Sequence, residues 1–244
     1  MSSSPERKYF RAGVLGGMGP EAGVLLQQLI IRETPAATDQ DHIEVVAYTN
    51  PHVPDRTESL KNDGGASYLA AVIDSLKLLE GVGVDVLVIA CNTAHARFAE
   101  IQASVTTPMI HIVELAKAEI LAKDDMVGIL ATDGTIASGL FAVPERSSAI
   151  ITPPTKVQTR VMQIIRDIKA GLPSGDIVNR LEAIVLSMQA PGCARIVLGC
   201  TELSIYRERL VERFGDVFID PMLLAARRIV DMAGARIPDS GFRI

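Results

Sequence analysis

A continuous apolar run, Val86-Leu87-Val88-Ile89-Ala90, stops at Cys91-Asn92-Thr93-Ala94-His95. Much later Arg195-Ile196-Val197-Leu198-Gly199 stops in the same way, at Cys200-Thr201-Glu202-Leu203. Runs this short, rich in Val and Ile and without polar alternation, suit strands covered on both faces of a parallel sheet. Each run ends on a cysteine followed by residues suited to capping the next helix. Two thiols, each at the carboxyl end of a strand and at the mouth of a helix, limit what the rest of the chain can build.

Around them strand and helix alternate. Strands are read at 11–16, 43–49, 86–90, 108–112, 127–131, 149–152, 195–199 and 217–219, and helices at 20–33, 66–80, 93–103, 113–121, 156–170, 174–188 and from Met222. The helix over 66–80 places Leu69, Val72, Ile73, Leu76 and Leu79 on one face. Residues 50–57, with two prolines, read as a polar loop. The pattern also repeats. Gly13-Val14-Leu15-Gly16-Gly17-Met18-Gly19 aligns with Gly128-Ile129-Leu130-Ala131-Thr132-Asp133-Gly134 at an offset of 115, and the two cysteines lie 109 apart. The expected fold is α/β: two pseudo-symmetric domains, each a parallel sheet flanked by helices, with the active site in the cleft between them. The division is drawn at 1–115 and 116–225, with 226–244, the final helix end and tail, free to pack back on the first half. Ligands of such sheets sit beyond the strands' carboxyl ends, where Gly17, Arg56, Cys91, Thr132 and Cys200 fall.

Composition removes several classes of function. Aromatic residues are 4% of the chain, with no Trp, which argues against a stacking surface for bases. A formal net charge of −5 disfavours a nucleic-acid or anionic-membrane partner. No apolar stretch approaches the roughly 20 residues of a membrane span. Residues 1–8 carry no secretory core and read as a short frayed tail; the three cysteines then read as reduced thiols of a cytoplasmic protein.

Several motifs have more than one reading. Gly17-Met18-Gly19-Pro20-Glu21-Ala22 satisfies a dinucleotide fingerprint, but strand two ends in Thr49-Asn50 without the acidic residue that would hold ribose. Its glycines equally let amides approach a small anion, or make a tight turn. Cys193 reads as packing. Cys91 and His95 have i, i+4 spacing, leaving a metal site or a Cys-His nucleophile open. Cys91 and Cys200 both sit where helix N-terminal amides would stabilise a thiolate. Arg56 stands in the proline-stiffened loop. Lys169, in Arg166-Asp167-Ile168-Lys169, also fits an ordinary exposed helix end.

Taken together, Gly17-Met18-Gly19-Pro20-Glu21-Ala22, Asn50-Pro51 with Pro54-Asp55-Arg56-Thr57, Cys91-Asn92-Thr93-Ala94-His95, Ala131-Thr132-Asp133-Gly134-Thr135, Ile168-Lys169-Ala170-Gly171 and Gly199-Cys200-Thr201-Glu202-Leu203 resemble the aspartate racemase branch of the aspartate/glutamate racemase family. The resemblance runs nearly the whole chain. The Asp-Ser-Gly usual in the glycine loop of glutamate racemases is absent, and Phe141 stands where a tyrosine is common. The resemblance implies a cofactor-independent racemase, commonly a homodimer, acting on a small amino acid without a metal. It implies Cys91 and Cys200 as the acid/base pair. Arg56, the Asn92-Thr93-Ala94 turn and Lys169 fall at its substrate-binding positions, and Thr132 and Thr135 on a loop near the ligand.

The chemistry fits such a residue set. Inverting a Cα centre requires a proton removed from one face and one delivered to the other, so two opposed thiols, one ionised and one not, suffice. The developing carbanion needs donors aimed at the carboxylate, for which Asn92, Thr93, Thr132 and Thr201 are placed. Arg56 would take a second carboxylate, favouring aspartate. Glutamate or a related acid, a decarboxylase using one cysteine, and a non-catalytic anion- or nucleotide-binding module are the alternatives.

Overall fold

The computed structural model describes residues 9–234; the sequence readings of residues 1–8 and of the tail from 235 onward lie outside them. In the first part of the chain β1 (Arg11–Gly16), α1 (Pro20–Glu33), β2 (Glu44–Thr49), α2 (Arg56–Asp63), α3 (Ala66–Val82), β3 (Val86–Ile89), α4 (Phe98–Ala103), β4 (Met109–Ile110) and α5 (Ile112–Leu121) follow in order. Next come β5 (Val127–Ala131), α6 (Asp133–Ala137), β6 (Ile150–Ile151), α7 (Thr155–Lys169), α8 (Ser174–Gln189), β7 (Arg195–Gly199), α9 (Thr201–Ser204), α10 (Arg207–Phe214), β8 (Phe218–Ile219) and α11 (Pro221–Gly234). The strands form two sheets, β2-β1-β3-β4 and β6-β5-β7-β8, parallel throughout. The same strand order occurs twice, as the internal repeat requires. No described helix is long and apolar enough to cross a membrane.

Strand periodicity explains how both faces of each sheet are covered. Along β1 and β3, Ala12, Val14, Val86 and Val88 face one core while Leu15, Leu87 and Ile89 face another, built with α3. In the second sheet Val127, Ile129 and Val197 point one way, and Leu130, Ile196 and Leu198 turn toward α7 and α8. The first-named sets from the two sheets belong to one continuous core, filled by α1, α5 and α11. Burying each such side chain contributes about 1.5–3 kcal/mol, so separating the sheets would expose a large apolar surface. The last helix, α11, packs on α1 and α5, and Arg227 pairs with Glu33 at 2.7 Å across that seam.

Two expectations are corrected. Residues 50–57 are not all loop: Asp55 accepts a hydrogen bond from the Glu58 amide at 3.0 Å and starts α2 at Arg56. That helix is almost wholly polar and buries only Arg56 and Ser59, so it lacks the apolar period that marks a helix in sequence. It ends at Gly64 and Gly65, both left-handed, before α3 begins. The helix expected over 93–103 is a 3-10 segment, Thr93–Arg97, joined to α4 by an irregular residue, Arg97.

The two halves also meet where α2 faces α6. A Cβ built on Gly134 would lie 2.8 Å from Thr57 Oγ1 and 2.9 Å from Thr57 Cα, so only glycine allows this approach. Gly134→Ala must push the two helices apart and is expected to destabilise the protein by about 1–3 kcal/mol. Urea unfolding measures this; an unchanged midpoint would mean the two helices are not in contact.

Candidate active site

Both cysteine-bearing strands end at one cleft. It is small and narrow, and is lined by Met18, Asp55, Arg56, Thr57, Cys91, Asn92, Thr93, Thr132, Lys169, Cys200, Thr201 and Glu202. Cys91 arrives from β3 and Cys200 from β7, at 4% and 5% exposure, so each sheet brings one thiol to a largely water-free space. A groove of about 920 Å³ between α1, α10 and α11 is larger, yet it carries none of the sequence-predicted residues.

Hydroxyls bridge the walls. Thr132 caps α6 by accepting from the Thr135 amide at 3.1 Å. Thr93 Oγ1, from the other sheet, lies 3.1 Å from Thr132 Oγ1 and 2.8 Å from Thr135 Oγ1, closing a ring of three hydroxyls. Thr201 donates to the Ala90 carbonyl at 3.4 Å, again across the cleft. Asn92 differs from these neighbours: it is 2% exposed, and among the described residues neither its amide oxygen nor its amide nitrogen has a hydrogen-bond partner. A buried amide left unpaired in the protein is ready to bind a carboxylate or an ammonium group.

Charges sit close together beneath. Arg56 donates to the carbonyls of Met18 at 3.0 Å, Pro54 at 3.1 Å and Val53 at 3.3 Å, so its guanidinium is built into the cleft floor rather than held out as a free fork. Burial opposes its charge, but Cys91, Asp55 and Glu202 more than offset this and hold its pKa above the ordinary value. Lys169, at the end of α7, reaches the cleft with Nζ 3.7 Å from Glu202 Oε1. Burial works against this cation too, and Glu202 and Cys200 outweigh it, raising its pKa.

Glu202, 3% exposed, is the residue that the sequence reading quoted in a motif without giving it a role. Its Oε1 accepts the Gly19 amide at 2.9 Å and its Oε2 accepts Cys200 Sγ at 2.8 Å. The glycine loop therefore does bring an amide to an anion, but the anion is the protein's own carboxylate. The signal for Glu202 was its place in the first turn after Cys200. Met18, Asp55 and Thr57 also line the cleft without having been singled out. Ala94 and Thr135 lie behind the wall: Tyr68 donates to the Ala94 carbonyl at 3.4 Å, and Thr135 reaches the cleft only through the hydroxyl ring.

The helix-terminus expectation fails at Cys200. Burial first, and then Glu202, push its thiol well above the usual range, with Lys169 opposing. The four-residue α9 is too short to compete with a buried carboxylate in contact with the sulfur. His95 does not pair with the Cys91 thiol. Its Nδ1 meets the Cys91 carbonyl at 2.8 Å, and since a carbonyl can only accept, that nitrogen carries the proton. The ring stacks on Phe98 with centroids 5.4 Å apart. Among the described residues no group of three His, Cys, Asp or Glu could hold a metal ion. Cys193 lies in the second-sheet core.

Known proteins resemble this chain in sequence and fold. The family model described as Asp/Glu/Hydantoin racemase matches residues 15–229. A broad specificity amino-acid racemase of Bacillus subtilis (strain 168) is 32% identical over 133 residues, covering 53% of this chain and 57% of that protein. A glutamate racemase of Deinococcus radiodurans is 30% identical over 141 residues, covering 56% and 48%. The chain thus matches about half the length of these curated relatives. Among solved structures, the Picrophilus torridus aspartate racemase superposes with a TM-score of 0.78 at 28% identity, over 92% of this chain and 94% of that one.

His95 carries a consequence for stability. Burial first, then the nearby His111, lowers its pKa to about 3 from an ordinary 6.5. Below pH 6.5 the unfolded chain binds a proton that the folded imidazole refuses, so this contribution is complete above 6.5 and is lost as pH falls toward 3. Between pH 7 and pH 5 it amounts to about 2 kcal/mol. In urea unfolding, His95→Gln should show a smaller fall in stability over that interval, by about that amount. An identical pH dependence in variant and wild type would mean that His95 is not held neutral.

Proposed function

The chain belongs to the Asp/Glu/Hydantoin racemase family, and on that premise we propose that it interconverts L- and D-aspartate without a cofactor, using Cys91 on one face of Cα and Cys200 on the other. The observation that carries this reading is that two strand-end thiols, one from each sheet, line the same small cleft. One sulfur, as thiolate, takes the Cα proton; the opposite thiol delivers its proton to the other face, and the configuration inverts. No proton need cross the substrate.

The Cα proton of an amino-acid carboxylate is weakly acidic, so the site must stabilise charge moving onto the carboxylate. The unpaired amide of Asn92 is the ready group, with the hydroxyls of Thr93, Thr132 and Thr201 around it. These donors act in a nearly dry cleft, where each is worth more than in water. Lys169 and Arg56 are the cations of the lining, set against Asp55 and Glu202, and Lys169 is the one placed to meet a second carboxylate, hence an acidic substrate. The likeness to an aspartate racemase over most of the chain supports the shorter diacid. Glutamate is the second reading, supported by the likeness to glutamate racemases. In either case the reading includes a homodimer, as the sequence resemblance implies.

The test is racemisation of each common amino acid, with Cα proton exchange followed in heavy water. Aspartate should racemise fastest, and activity should survive removal of pyridoxal phosphate and metals. Cys91→Ser and Cys200→Ser should each lose roughly 10²–10⁴-fold in rate; a wild-type rate in either would end the two-base scheme. Because Arg56 also holds three backbone carbonyls, Lys169→Met is the cleaner probe of substrate charge. It should weaken kcat/KM for aspartate by about 1.5–3 kcal/mol more than for alanine, and an equal loss for both would contradict its role.

A further inference from the structure

The cleft is not symmetric in charge although the fold around it is. Cys91 has the Arg56 guanidinium beside it, and Cys200 has a carboxylate. The contact is direct: Cys200 Sγ lies 2.8 Å from Glu202 Oε2, and the other oxygen is pinned by the Gly19 amide at 2.9 Å. Glu202 is therefore fixed from two sheets and cannot swing away from the sulfur without breaking a bond between them.

We propose that Glu202 is a positioning residue that keeps the proton on Cys200 in the resting enzyme, so that the free enzyme waits with Cys91 as base and Cys200 as acid. This rests on the two-cysteine reading above. A carboxylate oxygen at that distance can accept an S–H, whereas a thiolate there would place two negative charges in contact at a site only 3–5% exposed. The other groups facing Cys200 do not reverse the preference. Lys169 offsets part of the Glu202 charge from 3.7 Å; Arg56, flanked by Asp55, also feels Glu202 but acts on Cys91 more strongly, and the charges that act on Cys200 are Glu202 and Lys169.

The proton count closes. Cys91 thiolate forms an S–H bond as the Cα–H bond breaks. The electron pair left on Cα takes the proton of Cys200, whose sulfur becomes a thiolate beside Glu202. After release, one proton moves from the Cys91 thiol to Cys200 through solvent, and the resting form returns. Because a racemisation has an equilibrium constant of unity, kcat/KM is equal in both directions and cannot report this bias. The alkaline limb of its pH profile can: the substrate's ammonium titrates there identically for wild type and variant, and the enzyme's part of that limb is the loss of the last thiol proton, here that of Cys200.

Glu202→Gln retains the size and removes the charge; its one amide oxygen can keep the bond from the Gly19 amide, which leaves its NH2 group, a donor, against Cys200 in place of the acceptor. Its alkaline limb should move to lower pH by on the order of one unit or more, and Glu202→Asp should restore the limb toward the wild-type position. The direct reading is alkylation of Cys200 by iodoacetamide against pH, followed by peptide mass spectrometry in a Cys91→Ser background. Adding Glu202→Gln should lower the pH at which Cys200 reacts, and adding Lys169→Met should raise it. An alkylation profile unmoved by both substitutions would overturn the proposal, even if Glu202→Gln loses activity uniformly at all pH values. This measurement does not depend on turnover. A shift in alkylation in the Cys91→Ser background, together with an unsubstituted chain that racemises no amino acid tested, would uphold the Cys200–Glu202 coupling and reject the racemase reading instead.

Discussion

One apolar core belongs to both sheets, and the geometry of the cleft follows from it. Val14 and Val88 from the first sheet and Ile129 and Val197 from the second reach the same cluster, with α1, α5 and α11 between them. Removing that surface from water ties the two sheets into one body. Their carboxyl ends then meet at the cleft, where the close approach of α2 to α6 at Gly134 leaves room for little more than a small molecule.

A cleft made this way has little water, which alters the behaviour of every ionisable group in it. Arg56 and Lys169 remain charged against burial because carboxylate and sulfur stand beside them. Glu202 is the point where these interactions meet, since it touches Cys200 and the Gly19 amide and faces Lys169. Removing one member would leave another charge unpaired in low dielectric. The cluster is therefore better regarded as one unit than as separate binding groups. His95 behaves oppositely: buried, with His111 nearby and Phe98 against its ring, it stays neutral and supports the Cys91 backbone.

Much of the fold was legible because the signals were local. β1, α1, β5 and β7 lie where apolar runs and breakers placed them, since Val- and Ile-rich runs bounded by Gly and Pro have few alternatives. The helix α2 was not legible. Its residues, RTESLKND, contain a single apolar side chain, and it is held by the Asp55 cap rather than by a buried stripe. The hydroxyl ring lay partly within reach: Thr93 and Thr132 each follow a strand end, but their meeting joins positions 39 apart in sequence. The sulfur electrostatics were misjudged at Cys200 because a helix terminus is visible in a sequence, whereas the depth of burial and the rotamer of Glu202 are not.

The order of residues alone determined two parallel sheets of repeated pattern, with a thiol at the end of a central strand in each, because strand periodicity, capping and chain reversal are short-range effects. Only the packing of the two sheets decided that both thiols open into one cleft and that one of them rests against a carboxylate. It also decided that Arg56 is built into the floor rather than held out in a loop. Those facts depend on contacts between residues as far apart as Gly19 and Glu202, and on how much water such contacts exclude, neither of which any single stretch of chain encodes.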